Sequence, residues 1–396
     1  MKEDPIVIVG AARTPMGGFQ GSLTPLSAPE LGGYAIQGAV ERAGVPPEDV
    51  QDLIMGLCLF AGVKQAPARQ AAHLAGIPWD AGATTISKMC GSAMKATMLA
   101  HDNILAGSHD IMVAGGMESM TNAPYILPKA RGGYRLGNGD TVRDHMFMDG
   151  LEDAYDEGRL MGTFAEDTAE HYQFTREAQD NYAIESLTRA KKAVEDGSFD
   201  DEVVPVTVKT RKGEMMVTSD EQPFNANIEK IPQLKPAFRK DGTVTPANSS
   251  SISDGAAALV LMKRSEAEKR GLTPKALIHA HSTHSQEPNW FTTAPIGAVK
   301  KVLEKTGWSK EEVDLYEVNE AFAVVAMAAM RELDIPHDKI NVHGGACALG
   351  HPVGASGARI VVTLMSALEK YDLNKGVASL CIGGGEATAV SIERLN

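Results

Sequence analysis

Thr84-Thr85-Ile86, then Cys90, then Met94, Met98, Ile104 and Leu105 on helical spacing as far as Gly107, then Asp110-Ile111-Met112-Val113-Ala114 stopped by Gly115-Gly116: this stretch decides the fold. A short β-branched segment, a period near 3.6 and a continuous apolar run read, in that order, as strand, helix and buried strand. Working outward, the same alternation recurs on both sides. Ile6-Val7-Ile8-Val9, closed by Gly10, is a buried strand of a parallel or mixed sheet. Residues 31–44 have helical spacing and end at glycine, Leu53-Ile54-Met55-Gly56 is a strand, and 69–76 is a short helix. Residues 1–120 therefore form one α/β unit, completed by the apolar run 256–262 within about 251–270.

Alternation resumes after residue 270. Segments 276–280 and 315–318 read as strands, and 295–307 and 321–333 as helices. A glycine-rich loop at 344–350 precedes a helix over 355–371. Residues 376–393 read as two strands around Gly383-Gly384-Gly385. The C-terminal unit is thus 271–396. Between the units, 121–250 breaks the pattern with Arg131-Gly132-Gly133, Gly137-Asn138-Gly139-Asp140, acidic clusters over 149–157 and one strong helix over 175–196. A loop-rich insertion of that length is usually functional. Each half leads a strand to clustered glycines, at 115–116 and 383–385, so the pattern suggests a duplicated α/β fold despite low residue identity between halves.

Composition narrows the function. The chain has 396 residues, 43% hydrophobic and 22% charged, which is globular rather than disordered and too large for one core. A net charge of −13 argues against bulk attraction to nucleic acid or an anionic membrane, though not against a small anionic ligand. The four cysteines, Cys58, Cys90, Cys347 and Cys381, form no C-x-x-C pair. Their wide spacing speaks against a zinc ribbon, a redox motif or a disulfide framework. The start, Met1-Lys2-Glu3-Asp4-Pro5, has no signal-peptide character, and no apolar run reaches the roughly 18 residues of a membrane span, so a cytoplasmic protein is expected.

Four segments carry candidate chemistry. Cys90, in Ser87-Lys88-Met89-Cys90-Gly91-Ser92, stands at a strand-to-helix junction, where unpaired helical N–H groups favour a thiolate. A small buried hydrophobe is the alternative for any such cysteine. His351 lies in His343-Gly344-Gly345-Ala346-Cys347-Ala348-Leu349-Gly350-His351-Pro352-Val353-Gly354-Ala355-Ser356-Gly357; it reads as a base held on a loop or as a hydrogen-bonded loop histidine. Cys381 ends an apolar strand before three glycines whose N–H groups can face a ligand, or it is a core cysteine. Asn319, in Asn319-Glu320-Ala321-Phe322, caps a helix or holds a water. No phosphate-binding G-x-x-x-x-G-K-[ST] occurs, and Gly354-Ala355-Ser356-Gly357 is not a G-x-S-x-G elbow.

Together, and in this order, these segments resemble the thiolase family. Ala12-Arg13-Thr14-Pro15, Gly115-Gly116-Met117-Glu118-Ser119-Met120 and Asp254-Gly255-Ala256-Ala257-Ala258 are similar to further family segments, so the resemblance runs from residue 6 to residue 392. It implies a five-layer αβαβα sandwich of two similar halves with a long loop insertion. It implies an acyltransferase, with reversible condensation of two acetyl-CoA to acetoacetyl-CoA and CoA as the expected reaction. A degradative 3-ketoacyl-CoA thiolase and a non-catalytic acyl-CoA or lipid-binding relative are the alternatives. A decarboxylating condensing enzyme is disfavoured by Cys381 and Asn319-Glu320. By the same resemblance Cys90 carries the acyl group, His351 activates it, and Cys381 moves the α-proton. Asn319 positions a water that forms one oxyanion hole with His351, and the N–H groups of Cys90 and Gly383 form the other. Ser250 would meet the pantetheine arm, with Leu160, Met161, Phe291, Ala321 and Phe322 near the substrate. No metal or cofactor is implied, CoA being substrate and product. The insertion would carry the CoA site and, near Arg131-Gly132-Gly133, a contact forming a homotetramer or dimer.

Departures from the family pattern are Ser87, Ala93, His343, Glu386-Ala387, Phe224 and the missing histidine before Met161. Of these, Glu386 carries a specific expectation: a carboxylate near Cys381 would raise its pKa by like-charge repulsion, so Glu386→Gln would shift the basic limb of activity.

Overall fold

The computed structural model describes residues 4–134, 136–137 and 141–395; Asn138, Gly139 and Asp140 of the predicted loop lie outside them. In the N-terminal half the elements are β1 (Ile6–Arg13), α1 (Ala28–Ala43), β2 (Asp52–Gly56), α2 (Pro67–Leu74), β3 (Gly82–Ile86), α3 (Ser92–Leu105) and β4 (Ile111–Ser119). The insertion contributes α4 (Met161–Tyr172) and α5 (Arg176–Glu195), and β5 (Ser253–Lys263) follows it. The C-terminal half has β6 (Ala276–Ser285), α6 (Ala294–Thr306), β7 (Leu315–Val318), α7 (Ala323–Leu333), α8 (Ser356–Lys370), β8 (Lys375–Ile382) and β9 (Glu386–Arg394).

The strands run β7-β8-β9-β6-β1-β5-β4-β2-β3 across one sheet, and the two halves meet where β1 pairs antiparallel with β6. From its outer edge the N-terminal half has its third, second, fourth, fifth and first strands in that order. The C-terminal half repeats this order, with a parallel bridge from Ile340 to Tyr316 in place of its third strand. Pair directions match too: β2 is parallel to β3 and β4, and β7 is parallel to β8. The suspected duplication is therefore a matter of topology, which survives when residue identity between halves has been lost.

Period-two alternation assigns the layers. Ile6 and Ile8 of β1, Ala257, Leu259 and Leu261 of β5, and Ala378 and Leu380 of β8 face a shared core with Met94 and Met98 of α3 and Ile360 and Leu364 of α8. Val7 and Val9 face the other way, onto α1 and α2. Val377 and Ala389 pack on α6 and α7. The result is α1/α2, the N-terminal half of the sheet, α3/α8, the C-terminal half of the sheet, α6/α7. Strands covered on both faces read as unbroken apolar runs, which is why β1 and β4 were legible without alternation.

The central layer positions the chemistry. Helices α3 and α8 lie side by side, and a Cβ on Gly357 would stand 2.4 Å from the backbone N of Met94. Their N-termini are thereby brought together, with Cys90 just before one and His351 before the other. Within the insertion, α4 and two hairpins (125–126 with 143–144, and Val206–Thr210 with Gly213–Val217) were not foreseen. The predicted helix at 321 begins instead at Ala323, with Phe322 at its cap position and no side-chain cap. No helix among the described residues is long and apolar enough to cross a membrane.

Candidate active site

Cys90 stands on a strained turn. Met89 has φ +46°, a left-handed conformation that costs a non-glycine residue of order 1 kcal/mol and persists only when its surroundings enforce it. Ser92 does so: its hydroxyl donates to the Met89 carbonyl at 2.6 Å and accepts from the Lys88 N–H at 2.8 Å. The Cys58 thiol donates to the same carbonyl at 3.0 Å. The turn releases the chain straight into α3 and leaves Cys90 partly exposed. A Cβ at Gly91 would lie 2.3 Å from Cδ1 of Ile382, so the glycine lets this turn touch the end of β8.

That contact brings the two predicted sulfurs together. Burial pushes the Cys90 thiol up to about 11, opposed by the nearby backbone N–H groups of Gly383 and Cys90 itself. Cys381, fully buried at the end of β8, is raised well above the ordinary thiol range by burial and then by the neighbouring Cys90. Glu386 is absent from this balance, contrary to the expectation. Its carboxylate accepts from the Lys88 ammonium at 2.5 Å and from Ser285 at 3.1 Å, so its charge is paired with a cation of the Cys90 turn.

His351 is buried, and its Nδ1 lies 2.6 Å from the Ser356 hydroxyl. Ser356 has a single proton, which it donates to the Pro352 carbonyl at 2.9 Å. The hydroxyl must then accept from Nδ1–H, and this assignment places the ring's lone pair on Nε2. Nε2 is buried with no hydrogen-bond partner among the described residues. Burial, followed by the positive charge of Arg359, lowers the ring to about 3, so it is a neutral base at working pH.

Asn319 is held against this ring rather than capping α7. Its oxygen accepts from Arg359 at 3.3 Å, and its amide nitrogen lies 3.4 Å from Nδ1 of His351, a packing contact rather than a hydrogen bond, since Nδ1 carries the proton given to Ser356. Arg359 in turn lies 3.7 Å from Glu317, whose carboxyl burial raises to about 8. The adjacent Glu320 fixes the glycine-rich loop, accepting from Tyr182, Ser186 and Asn341 side chains and from the Cys347 N–H. Glu118 accepts N–H bonds from Cys58, Leu59 and Gly354, tying the segment after β2 to the His351 loop.

The predicted substrate residues assemble around this centre to differing degrees. Met161, at the start of α4, places its sulfur 3.4 Å from where a Cβ of Gly383 would stand. Met161, Ala321, Phe322 and Phe291 share an apolar cluster with Cys381 and Phe238. Phe291 is the deepest aromatic of that set, edge-on to Phe164 at 5.8 Å. Leu160 is half-buried just before α4. The Ser250 N–H donates to the Ala321 carbonyl at 2.9 Å, so the serine segment is strapped to Asn319-Glu320-Ala321-Phe322. A recess of about 330 Å³ opens nearby, lined by Ser251, Cys347, Ala247, Leu234 and Lys230. Among the departures, Ala93 is buried within the first turn of α3, Ser87 and Phe224 are exposed, and His343 is packed between Phe199 and Tyr371. Sequence reasoning missed Ser356, Arg359, Glu317 and Lys88. The hydroxyl five residues after His351, at a helix start, was the one local signal available.

Comparison with known proteins gives the family. The model of the thiolase N-terminal domain matches residues 6–265, and that of the thiolase C-terminal domain matches 272–394. An acetyl-CoA acetyltransferase of Cupriavidus necator is 47% identical over 98% of this chain and 99% of its own length. A mitochondrial acetyl-CoA acetyltransferase of Bos taurus is 47% identical over 98% and 92%. The crystal structure of the Bacillus anthracis acetyl-CoA acetyltransferase superposes with a TM-score of 0.96 at 43% identity, covering 99% of both chains. A thiolase from Ascaris suum in complex with coenzyme A superposes at 0.93 with 42% identity, covering 99% of this chain and 100% of that one. With both domain models matched and relatives aligned along nearly its whole length, the chain belongs to the thiolase family.

Proposed function

We propose that this chain is an acetyl-CoA C-acetyltransferase, joining two acetyl-CoA molecules reversibly into acetoacetyl-CoA and CoA through an acyl-cysteine. The observation that carries the reading is the contact of the Cys90 turn with the end of β8, where a Cβ on Gly91 would stand 2.3 Å from Cδ1 of Ile382, which sets Cys90 beside a second thiol, Cys381. In the first half-reaction Cys90 attacks the thioester carbonyl while Nε2 of His351 takes its proton. The N–H groups of Cys90 and Gly383 stabilise the oxyanion, and the CoA sulfur leaves with the proton of Cys381, giving acetyl-Cys90, a Cys381 thiolate and a protonated His351. In the second, the Cys381 thiolate removes a proton from the methyl carbon of the next acetyl-CoA. The enolate attacks acetyl-Cys90, and the Cys90 sulfur leaves, taking back the proton held by His351. His351 and an Asn319-held water stabilise the enolate oxygen. Preorganised donors at such an oxygen typically contribute about 10²–10³ each in rate. Two separable acyl-transfer steps imply ping-pong kinetics.

The chemistry needs no metal or redox cofactor. The 121–250 insertion, together with Ser250, holds CoA in this reading. Two similar α/β halves, 1–120 completed by about 251–270 and 271–396, supply the catalytic groups. Met161, Phe322 and Phe238 close the acyl end and favour short chains. Exposed Tyr125, Leu127 and Val142 near Arg131 support an oligomer contact, of a tetramer or dimer, in a cytoplasmic enzyme. Thiolysis of acetoacetyl-CoA, compared with that of a long-chain 3-ketoacyl-CoA, tests the assignment. A kcat/KM at least about tenfold higher for acetoacetyl-CoA is expected, corresponding to about 1.4 kcal/mol of discrimination. A preference for the long chain would turn the reading to the degradative enzyme.

A further inference from the structure

Away from the two thiols, α3 and β6 bring together a group of side chains that the acyl chemistry does not use. His101 and Asp102 are neighbours near the end of α3, and His281 lies on β6. A single carboxylate oxygen, Oδ1 of Asp102, is 2.9 Å from Nδ1 of His101 and 2.9 Å from Nε2 of His281. The rings stand edge to face, 5.1 Å apart at 88°. All three donor atoms fall within 4.8 Å of one another.

We propose that His101, Asp102 and His281 form a site for a borderline first-row divalent cation of the Zn²⁺, Co²⁺ or Ni²⁺ class, with water completing the shell. Two imidazoles and one carboxylate are a donor set that such ions take, and one that Mg²⁺ and Ca²⁺ avoid. Donors about 2.0–2.1 Å from a tetrahedral metal stand about 3.3–3.4 Å apart, so each imidazole nitrogen, now 2.9 Å from Oδ1, need withdraw from that oxygen only by tenths of an ångström. Burial lowers the His281 pKa, with Asp102 opposing it and Lys305 and Lys95 acting in the same direction as burial. Burial opposes ionisation of Asp102, but the bonds from the two histidines outweigh it and hold the carboxylate below its ordinary range. The site is half open: Asp102 is 51% exposed and His281 16%, whereas His101 is 4%. A bound ion would staple the helix that begins after Cys90 to the edge of the other half of the sheet, stabilising the fold rather than the reaction.

Co²⁺ titration of the chelator-treated protein, followed by visible absorption and thermal unfolding, tests this. One Co²⁺ per chain is expected, with imidazole and carboxylate bands, no sulfur charge-transfer band and a raised Tm. His281→Ala and Asp102→Asn, both at the open side, should each weaken binding by more than about tenfold, the least that even an outer partner of a metal site commands. Cys381→Ala should leave binding unchanged. Absence of saturable binding would overturn the proposal, as would Co²⁺ retained in both variants or a sulfur band that disappears with Cys381→Ala.

Discussion

Ser356→Ala isolates the device that makes His351 a base. In the wild type the Ser356 hydroxyl donates to Pro352 and accepts from Nδ1–H at 2.6 Å, leaving Nε2 with its lone pair. Alanine removes the acceptor in a buried setting. Either Nδ1–H is left unsatisfied, or the proton moves to Nε2 and the base is lost. A buried donor without a partner costs about 1–3 kcal/mol, which corresponds to about a 5- to 150-fold slower acylation of Cys90. Ser356 touches none of the predicted CoA residues, so KM for acetyl-CoA should change little. The assay is rapid quenching with acetyl-CoA and mass measurement of the acetyl-enzyme over time, with ¹⁵N NMR of the ring reporting the tautomer. An acylation rate within about twofold of wild type, less than about 0.4 kcal/mol, would refute the tautomer argument.

Three further outcomes follow from the same geometry. Because Lys88 pairs with Glu386 across the two oxyanion-bearing turns, each single charge reversal should lower kcat/KM by about 2- to 5-fold, as a partly exposed pair allows. The Lys88→Glu/Glu386→Lys double variant should recover the loss, while Glu386→Gln should leave the basic limb of the pH profile in place; no recovery in the double variant would deny the clasp. Alkylation of free Cys90 by iodoacetamide should keep accelerating up to about pH 11, since burial raises the thiol and His351 stays neutral; a plateau below pH 8 would instead indicate a thiolate–imidazolium pair. Burial raises Glu317 to about 8, so the folded protein holds a proton that the unfolded chain releases near 4.5, and stability from this group falls as pH rises between those values. Glu317→Gln mimics the protonated form and should raise Tm relative to wild type at pH 9 while changing it little at pH 4; an equal effect at both would contradict the assignment.

What the chain disclosed depended on how local each signal was. Strands β1 and β4 announce themselves because both faces are covered, and α3 because its apolar positions recur within one segment. Cys90, His351 and Cys381 were picked out by their glycine-rich surroundings and by family resemblance. Their convergence was not legible, since a contact such as Gly91 with Ile382 joins residues far apart in the chain. For Asn319 the sequence left a cap and a water-holding role both open, because its partners, His351 and Arg359, come from a distant helix and the loop before it. The charge on Glu386 was foreseen but not its neutralisation, because nothing in Ser87-Lys88-Met89 indicates that the lysine crosses to β9. Helix α4 went unread inside an insertion whose loops dominate its composition, although Met161 at its start lies over Gly383.

The central claim is that Cys90 is the atom that carries the acyl group. Incubating the protein with radiolabelled acetyl-CoA, quenching in acid and mapping the peptides measures this directly. The account predicts one acetyl group per chain on the peptide containing Cys90, removed by added CoA and abolished by Cys90→Ala but not by Cys381→Ala. Label on another cysteine, or none at all in a protein that still turns over acetoacetyl-CoA, would contradict it.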